Sequence, residues 1–290
     1  MNFLQFFIWG SWLLTIGAYW FQTKQWSGTE FGAIFSTMGL ASLFMPAIAG
    51  IIADRWINAE RLYGIFHILG GVMLFIVPMV NNPTTMFWVM LVNMMFYMPT
   101  IALSITVAYS SMKSRGMDII KEYPPIRVWG TIGFIVALWF ISLMGFETSS
   151  TQFYVASMAS FILGLYAFTL PQCPPLGRGH KKSLVDELGL NAFKLFKSTK
   201  MAIFFIFAML LGASLQLTNA YGDTFLHDFA KLPQFADLVA VKYPAIIMSI
   251  SQISETLFIL TIPFFLKRFG IKNVMLMSMV AWVLRFGLFA

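Results

Sequence analysis

The chain has 290 residues, of which 59% are hydrophobic and only 11% charged, against roughly a quarter charged in ordinary globular domains; mean hydropathy is +0.77. A water-soluble fold cannot cover that much apolar surface, so the composition points to a polytopic membrane protein. The formal charge of +7 raises the question of a nucleic-acid partner, and the lone cysteine, Cys173, excludes an internal disulfide or a cysteine-rich metal site.

Apolar runs of about 20 residues, long enough to cross a bilayer as helices, fall at roughly 3–22, 31–52, 62–80, 86–108, 126–144, 152–170, 201–222, 244–265 and 274–290. The first lacks a basic lead and a small-residue cleavage site. Its Trp9, Trp12 and Trp20 suit a retained helix with interfacial anchors. Alternate connections differ sharply in charge. One set carries Arg55, Arg61, Lys113, Arg115, Lys121, Arg178, Lys181, Lys182, Lys194, Lys197, Lys200, Lys267, Arg268 and Lys272, and the other only Lys24, Lys231 and Lys242. Basic loops stay on the cytoplasmic side, which predicts a cytoplasmic N-terminus and reads the excess charge as topology, with no nucleic-acid partner. The chain starts almost inside its first run and stops at Ala290 inside its last, so both ends are expected to be clipped.

After the second run, Ala53-Asp54-Arg55-Trp56 forms a tight turn between long helices. His67, alone in the third run, reads as a hydrogen-bonded packing residue, as do Asn93 and Tyr97, which share a face of the fourth. In the fifth, Arg127 and Thr131 are four apart and Phe134 is seven beyond Arg127, so the three share one helical face. Phe134 can stack on a planar ring, and Gly130 and Gly133 allow a neighbouring helix to approach closely. The polar stretch from Pro171 to Lys200 divides six runs from three; its Leu184, Val185, Leu188, Phe193 and Phe196 would form either a short amphipathic surface helix or a solvated linker.

Beyond it, Gln216 and Asn219 share one face of the seventh run, and Gln252 and Glu255 one face of the eighth. Glu255 is the carboxylate expected inside a span, where a charge is costly and normally faces a partner or a water-filled path. Amides, a carboxylate and a guanidinium together suit a neutral solute bearing hydroxyl and amide groups. Each has a plainer reading: interhelical hydrogen bonds for Gln216 and Asn219, snorkelling for Arg127, a structural ion pair for Glu255. The turn Leu266-Lys267-Arg268-Phe269 before Gly270 echoes the one at Asp54, a weak internal repeat of the kind found in secondary transporters.

Gly50-Ile51-Ile52-Ala53-Asp54-Arg55 resembles the G-x-x-x-D-R loop after the second helix of the major facilitator superfamily. The stretch Pro124-Pro125-Ile126-Arg127-Val128-Trp129-Gly130-Thr131-Ile132-Gly133-Phe134 is similar to the fifth-helix segment of nucleoside:proton symporters and, more loosely, of sugar:proton symporters. Met201 to Phe207 and Ile247 to Phe258 look like the seventh and eighth helices of the same family.

The resemblance implies an all-α fold with nine of an expected twelve transmembrane helices present. A six-helix bundle would span 1–170, a cytoplasmic linker 171–200, and the first three helices of a second bundle 201–290. It further implies nucleoside import with protons by alternating access in the cell inner membrane, without a cofactor or metal. Carried over by position, Arg127, Thr131, Phe134, Gln216, Asn219, Gln252 and Glu255 contact the nucleoside. Glu255 is a candidate proton carrier, and Asp54 with Arg55 latches the outward-facing state. Further binding groups, an acid among them, are expected in a tenth helix. A sugar:proton symporter remains the nearest alternative. An uncoupled channel and a membrane-embedded enzyme stand further off, since His67, His180 and His227 fall in different regions and no nucleophile elbow occurs.

Overall fold

The computed structural model describes residues 1–175 and 190–289, and among these every regular element is helical. Helix α1 (Asn2–Gly10) continues through irregular turns to a short helix at Ile16–Ala18 and a π-helical stretch at Tyr19–Lys24, closed by Gln25 at φ 54°. The expected first span is therefore not one regular helix. One crowded glycine stands just before its irregular part and another within it. A Cβ on Gly10 would stand 2.6 Å from the Phe134 carbonyl, and one on Gly17 would stand 2.8 Å from that of Ala220.

Helix α2 (Gly28–Arg55) opens on a capping box, with Ser27 Oγ accepting from the Glu30 N–H and Glu30 Oε2 accepting from the Ser27 N–H at 3.1 Å. Helices α3 (Ala59–Ile76) and α4 (Pro83–Ser114) follow. Pro83 takes the first position of α4, where its missing N–H costs nothing, and Asn82 Oδ1 caps the next N–H at 2.8 Å. Helix α5 (Ile119–Leu143) starts upstream of Pro124, so Arg127 sits a full two turns inside it. Helix α6 (Thr151–Ala167) completes the first part of the chain.

Residues 176–189, with the expected amphipathic positions Leu184, Val185 and Leu188, lie outside the described residues. Phe193 and Phe196 stack on each other within a 3-10 helix (Leu190–Lys197), and Phe196 stacks on Phe205. Helix α7 (Thr199–Asp228) runs past its expected limit at residue 222 and takes in Asp223. That carboxylate is fully buried, so Glu255 is not the sole carboxylate carried on an apolar helix. Helix α8 (Pro244–Phe289) breaks at Gly270, where φ of 71° leaves the helical region. Ser251, Gln252, Ser254 and Phe258 line one cavity together with Ser278, Ala281, Trp282 and Arg285, so the chain doubles back there into two limbs.

Six of these helices are long and apolar enough to cross a membrane: 28–55, 59–79, 83–114, 122–143, 199–231 and 264–288. Of the other expected spans, the first is irregular, the sixth is the 17-residue α6 and the eighth is the first limb of α8. The outward faces carry Leu43, Trp88, Leu165 and Met209 exposed, as helices that meet lipid would.

Close approach holds α1 against α5. Gly133 lies directly beneath the Phe3 backbone, and Gly130 beneath the Phe6 ring. Among α1, α3, α4 and α6 a polar hub forms around Gln5. Its Nε2 donates to Thr100 Oγ1 at 2.8 Å, and its Oε1 accepts from Tyr63 OH at 2.7 Å and lies 2.8 Å from His67 Nε2. His67 Nδ1 stands 3.3 Å from Ser160 Oγ, and Tyr97 OH donates to the Gln5 carbonyl at 2.7 Å. His67 is thus a bonded packing histidine, as its isolation in the sequence suggests.

Candidate functional site

Contacts between residues 1–170 and 199–289 gather at the end that carries loops 144–150 and 229–243. There Gly17 presses on Ala220 and Thr224, Phe21 and Phe31 pack on Tyr221, and Trp139 Nε1 donates to Ser249 Oγ at 2.8 Å. The last bond ties α5 to α8 and fixes their relative depth. At about 1.5 Å per residue, Phe134 lies about 7 Å below the tie on α5, while Gln252 and Glu255 lie about 4 and 9 Å below it on α8. Phe134 is therefore level with that pair. Thr131 and Arg127 follow at about 12 and 18 Å.

On the facing side, Asn219 Nδ2 donates to Gln216 Oε1 at 3.1 Å within α7. Asn219, Ser251, Gln252, Ser254, Trp282 and Arg285 help line a cavity of about 440 Å³ between α7 and the limbs of α8, a volume within the ligand-pocket range of about 300–1,000 Å³. The pairing of Gln216 with Asn219 uses one donor and one acceptor and leaves further amide valences for a ligand. Arg285 stacks over Trp282 at 4.9 Å and brings a cation into the same space.

The residues singled out from the sequence are thus not all in one wall. Asn219 and Gln252 share the cavity, and Gln216 bonds to its edge. Phe134 is buried at the matching depth on α5, and Thr131 is half-buried one turn away. Arg127 is half-buried with its guanidinium 4.1 Å over the Phe6 ring, so it is held by stacking and not stretched toward an interface. Glu255 occupies the expected turn of α8. Asp54 is exposed at the far end of α2, which begins beside Tyr221 and extends about 42 Å from it. Phe6 and Trp282 carry no polar signal that would single them out in the sequence, whereas the serines at 251 and 254 lie in the very run that carries Gln252 and Glu255. Among the described residues one group offers metal-type ligand atoms close together, Glu147, Asp223 and His227, and it sits at the sealed end, away from this band.

The family described as nucleoside H+ symporter matches residues 1–290. The chain is 57% identical to xanthosine permease of Escherichia coli K12 and 54% identical to nucleoside permease NupG of the same organism. Each match covers all of this chain and 69% of the relative. Crystal structures of nucleoside transporter NupG superpose with TM-scores of 0.95, for a point mutant, and 0.91. The superpositions cover 99% of this chain and 72% or 71% of those chains.

Proposed function

The chain belongs to the nucleoside H+ symporter family, a multi-pass membrane protein of the major facilitator fold, and we propose that its mid-depth polar band is where nucleoside and proton are exchanged across the inner membrane. Proton-coupled nucleoside import is the activity of the family. What is proposed is the division of labour among these residues.

Residues 1–170 form one bundle and 201–290 part of the other, joined by the linker 171–200. The basic loops face the cytoplasm, so the N-terminus is inside, the sealed end is the outer one and Asp54 lies at the inner one. In this conformer the outer side is shut, and the substrate leaves inward. Asn219, Gln216 and Gln252 grip sugar hydroxyls and base edge, Phe134 packs on a ring face, and Arg127 and Thr131 close the lower side. Glu255 is the carboxylate whose proton affinity changes as the bundles rock, which is what coupling requires. Asp54 and Arg55 latch the opposite conformer. The protein moves solutes and performs no covalent chemistry, and nucleic acid is not a partner.

One observation carries the reading: Asn219 and Gln252 open into a single cavity, with Phe134 at the same depth on the other bundle. The test is uptake of labelled adenosine and uridine into vesicles at two external pH values. Saturable uptake that rises on acidification is expected for both. Equal uptake at both pH values sinks the coupling, and inhibition by free galactosides but not by uridine turns the substrate class to sugars.

A further inference from the structure

Glu147, Asp223 and His227 meet at the sealed end. Glu147 stands in loop 144–150, which Gln152 pins by donating from Nε2 to the carbonyls of Glu147 and Ser149 at 2.9 and 3.0 Å while its Oε1 accepts from Thr15 Oγ1 at 2.7 Å. From there the Glu147 carboxylate crosses to the other bundle. One oxygen lies 2.9 Å from His227 Nε2 on α7, and the other accepts from the Ala245 N–H at 3.3 Å in the first turn of α8. Asp223, one turn before His227, is fully buried. Its nearer oxygen is 3.7 Å from the same Nε2, and neither of its oxygens has a hydrogen-bond partner.

The charges at this spot do not balance. A single hydrogen serves the contact between His227 Nε2 and Glu147 Oε2, and the Asp223 oxygens have no share in it. Even with the imidazole protonated, two carboxylates would leave one negative charge at Asp223, with no donor and no water-exposed surface. Burial without a partner disfavours the charged form, and a second carboxylate nearby disfavours it further. Among the described residues no neighbouring cation offers relief. Lys231 pairs with Asp228 at 2.6 Å on the exposed side, Lys242 lies over the Tyr243 ring, and Lys24 donates to the Val80 carbonyl and to Asn81. A hydrogen on Asp223 removes the imbalance.

We propose that Glu147, Asp223 and His227 form a proton-binding site, separate from Glu255, that is complete only while the outer end is closed. Closure brings the three groups together, and an O–H bond forms on Asp223 with a proton drawn from the outer solution. Reopening separates Glu147 from His227, wets Asp223 and returns that proton to the same side. The site therefore sets how readily the outer gate shuts at a given pH without adding to the number of protons carried across. It rests on the two-bundle symporter reading above.

The test uses the complete transporter in lipid nanodiscs. With every native cysteine, Cys173 among them, replaced by serine, spin labels at Asn81→Cys and Lys231→Cys report the spacing across the gate. One proton taken up on closing makes the closed-to-open ratio fall by up to about tenfold per pH unit as pH rises. Asp223→Asn, an amide in place of the protonated acid, should stay closed at both acidic and alkaline pH, and Asp223→Glu should keep the slope. A flat ratio in the parent overturns the proposal, as does an unaltered slope in Asp223→Asn. So does a ratio that shifts on adding a chelator, which would make the occupant a metal ion. Nucleoside uptake measured in parallel separates the two readings. Transport with a flat gate ratio sinks this site alone, whereas a sloped ratio without transport sinks the symport reading and leaves the site standing.

Discussion

A guanidinium lying flat on an aromatic ring keeps its in-plane N–H groups free while its face is covered, which is how Arg127 sits on Phe6. Lysine offers a point charge and no such plane, so Arg127→Lys should lose about 0.5–2 kcal/mol of positioning. That corresponds to roughly a two- to thirtyfold weaker apparent affinity in uptake assays. Phe6→Leu should move affinity the same way, and an unchanged KM in both variants would show that the stack does not position the arginine. Gln5 gives a second residue-scale expectation. Gln5→Leu leaves Tyr63 OH and His67 Nε2 without their partner in a buried site, while Thr100 Oγ1 keeps its bond to the Tyr97 carbonyl. Orphaned groups of this kind cost about 1–3 kcal/mol each, so the melting temperature in detergent should drop by several degrees or more. The shared face of Gln252 and Glu255 could be read from the sequence because three-residue spacing fixes it within one helix. The Gln5 hub could not, because its partners lie 58 to 95 residues away and only packing brings them together.

Within the helical elements the glycines divide into two kinds, and the difference is measurable. A Cβ on Gly133 meets the carbonyl, carbonyl carbon and Cα of Phe3, backbone atoms that cannot rotate away, so Gly133→Ala must push α1 off α5. Gly32 and Gly39 in α2 have nothing within 4 Å of the same position. There alanine should leave stability unchanged or raise it by up to about 1 kcal/mol through helix propensity and a less disordered unfolded chain. Thermal unfolding of the three variants should show a fall only for Gly133→Ala; equal shifts would mean that α1 and α5 are free to separate. Gly130 and Gly133 were legible as an approach site because small residues one turn apart leave a groove in any helix. Helix existence was legible too, since apolar runs of bilayer length declare themselves. The irregular course from Ser11 to Lys24 was not, because its hydrophobicity is that of a helix. Its crowded glycines, Gly10 and Gly17, face the Phe134 and Ala220 carbonyls, neighbours far off in sequence that no local pattern announces.

The molecule as a whole is tied at one end, and this makes the opposite end informative. Gly17 against Ala220, the rings around Tyr221 and the reach of Glu147 to His227 all join the two parts of the chain near loops 144–150 and 229–243. Asp54, at the other end of α2, is exposed. Alternating access requires that the ties at the two ends be mutually exclusive. A latch through Asp54 and Arg55 should therefore be open when the outer end is shut, and should stabilise only the conformer in which the outer end is apart. Asp54→Ala then leaves the closed conformer as stable as before while it depletes the outward-facing one. If the latch contributes about 1–3 kcal/mol, as charge-assisted contacts do, the outward-facing population falls about 5- to 150-fold. Uptake slows because fewer transporters present an empty site outside, and labels at Asn81→Cys and Lys231→Cys shift toward the short distance. Loss of uptake with no change in label spacing would place Asp54 in folding or in the substrate path. Unchanged uptake and unchanged spacing would remove the latch altogether, leaving the outer contacts to set the conformational balance alone.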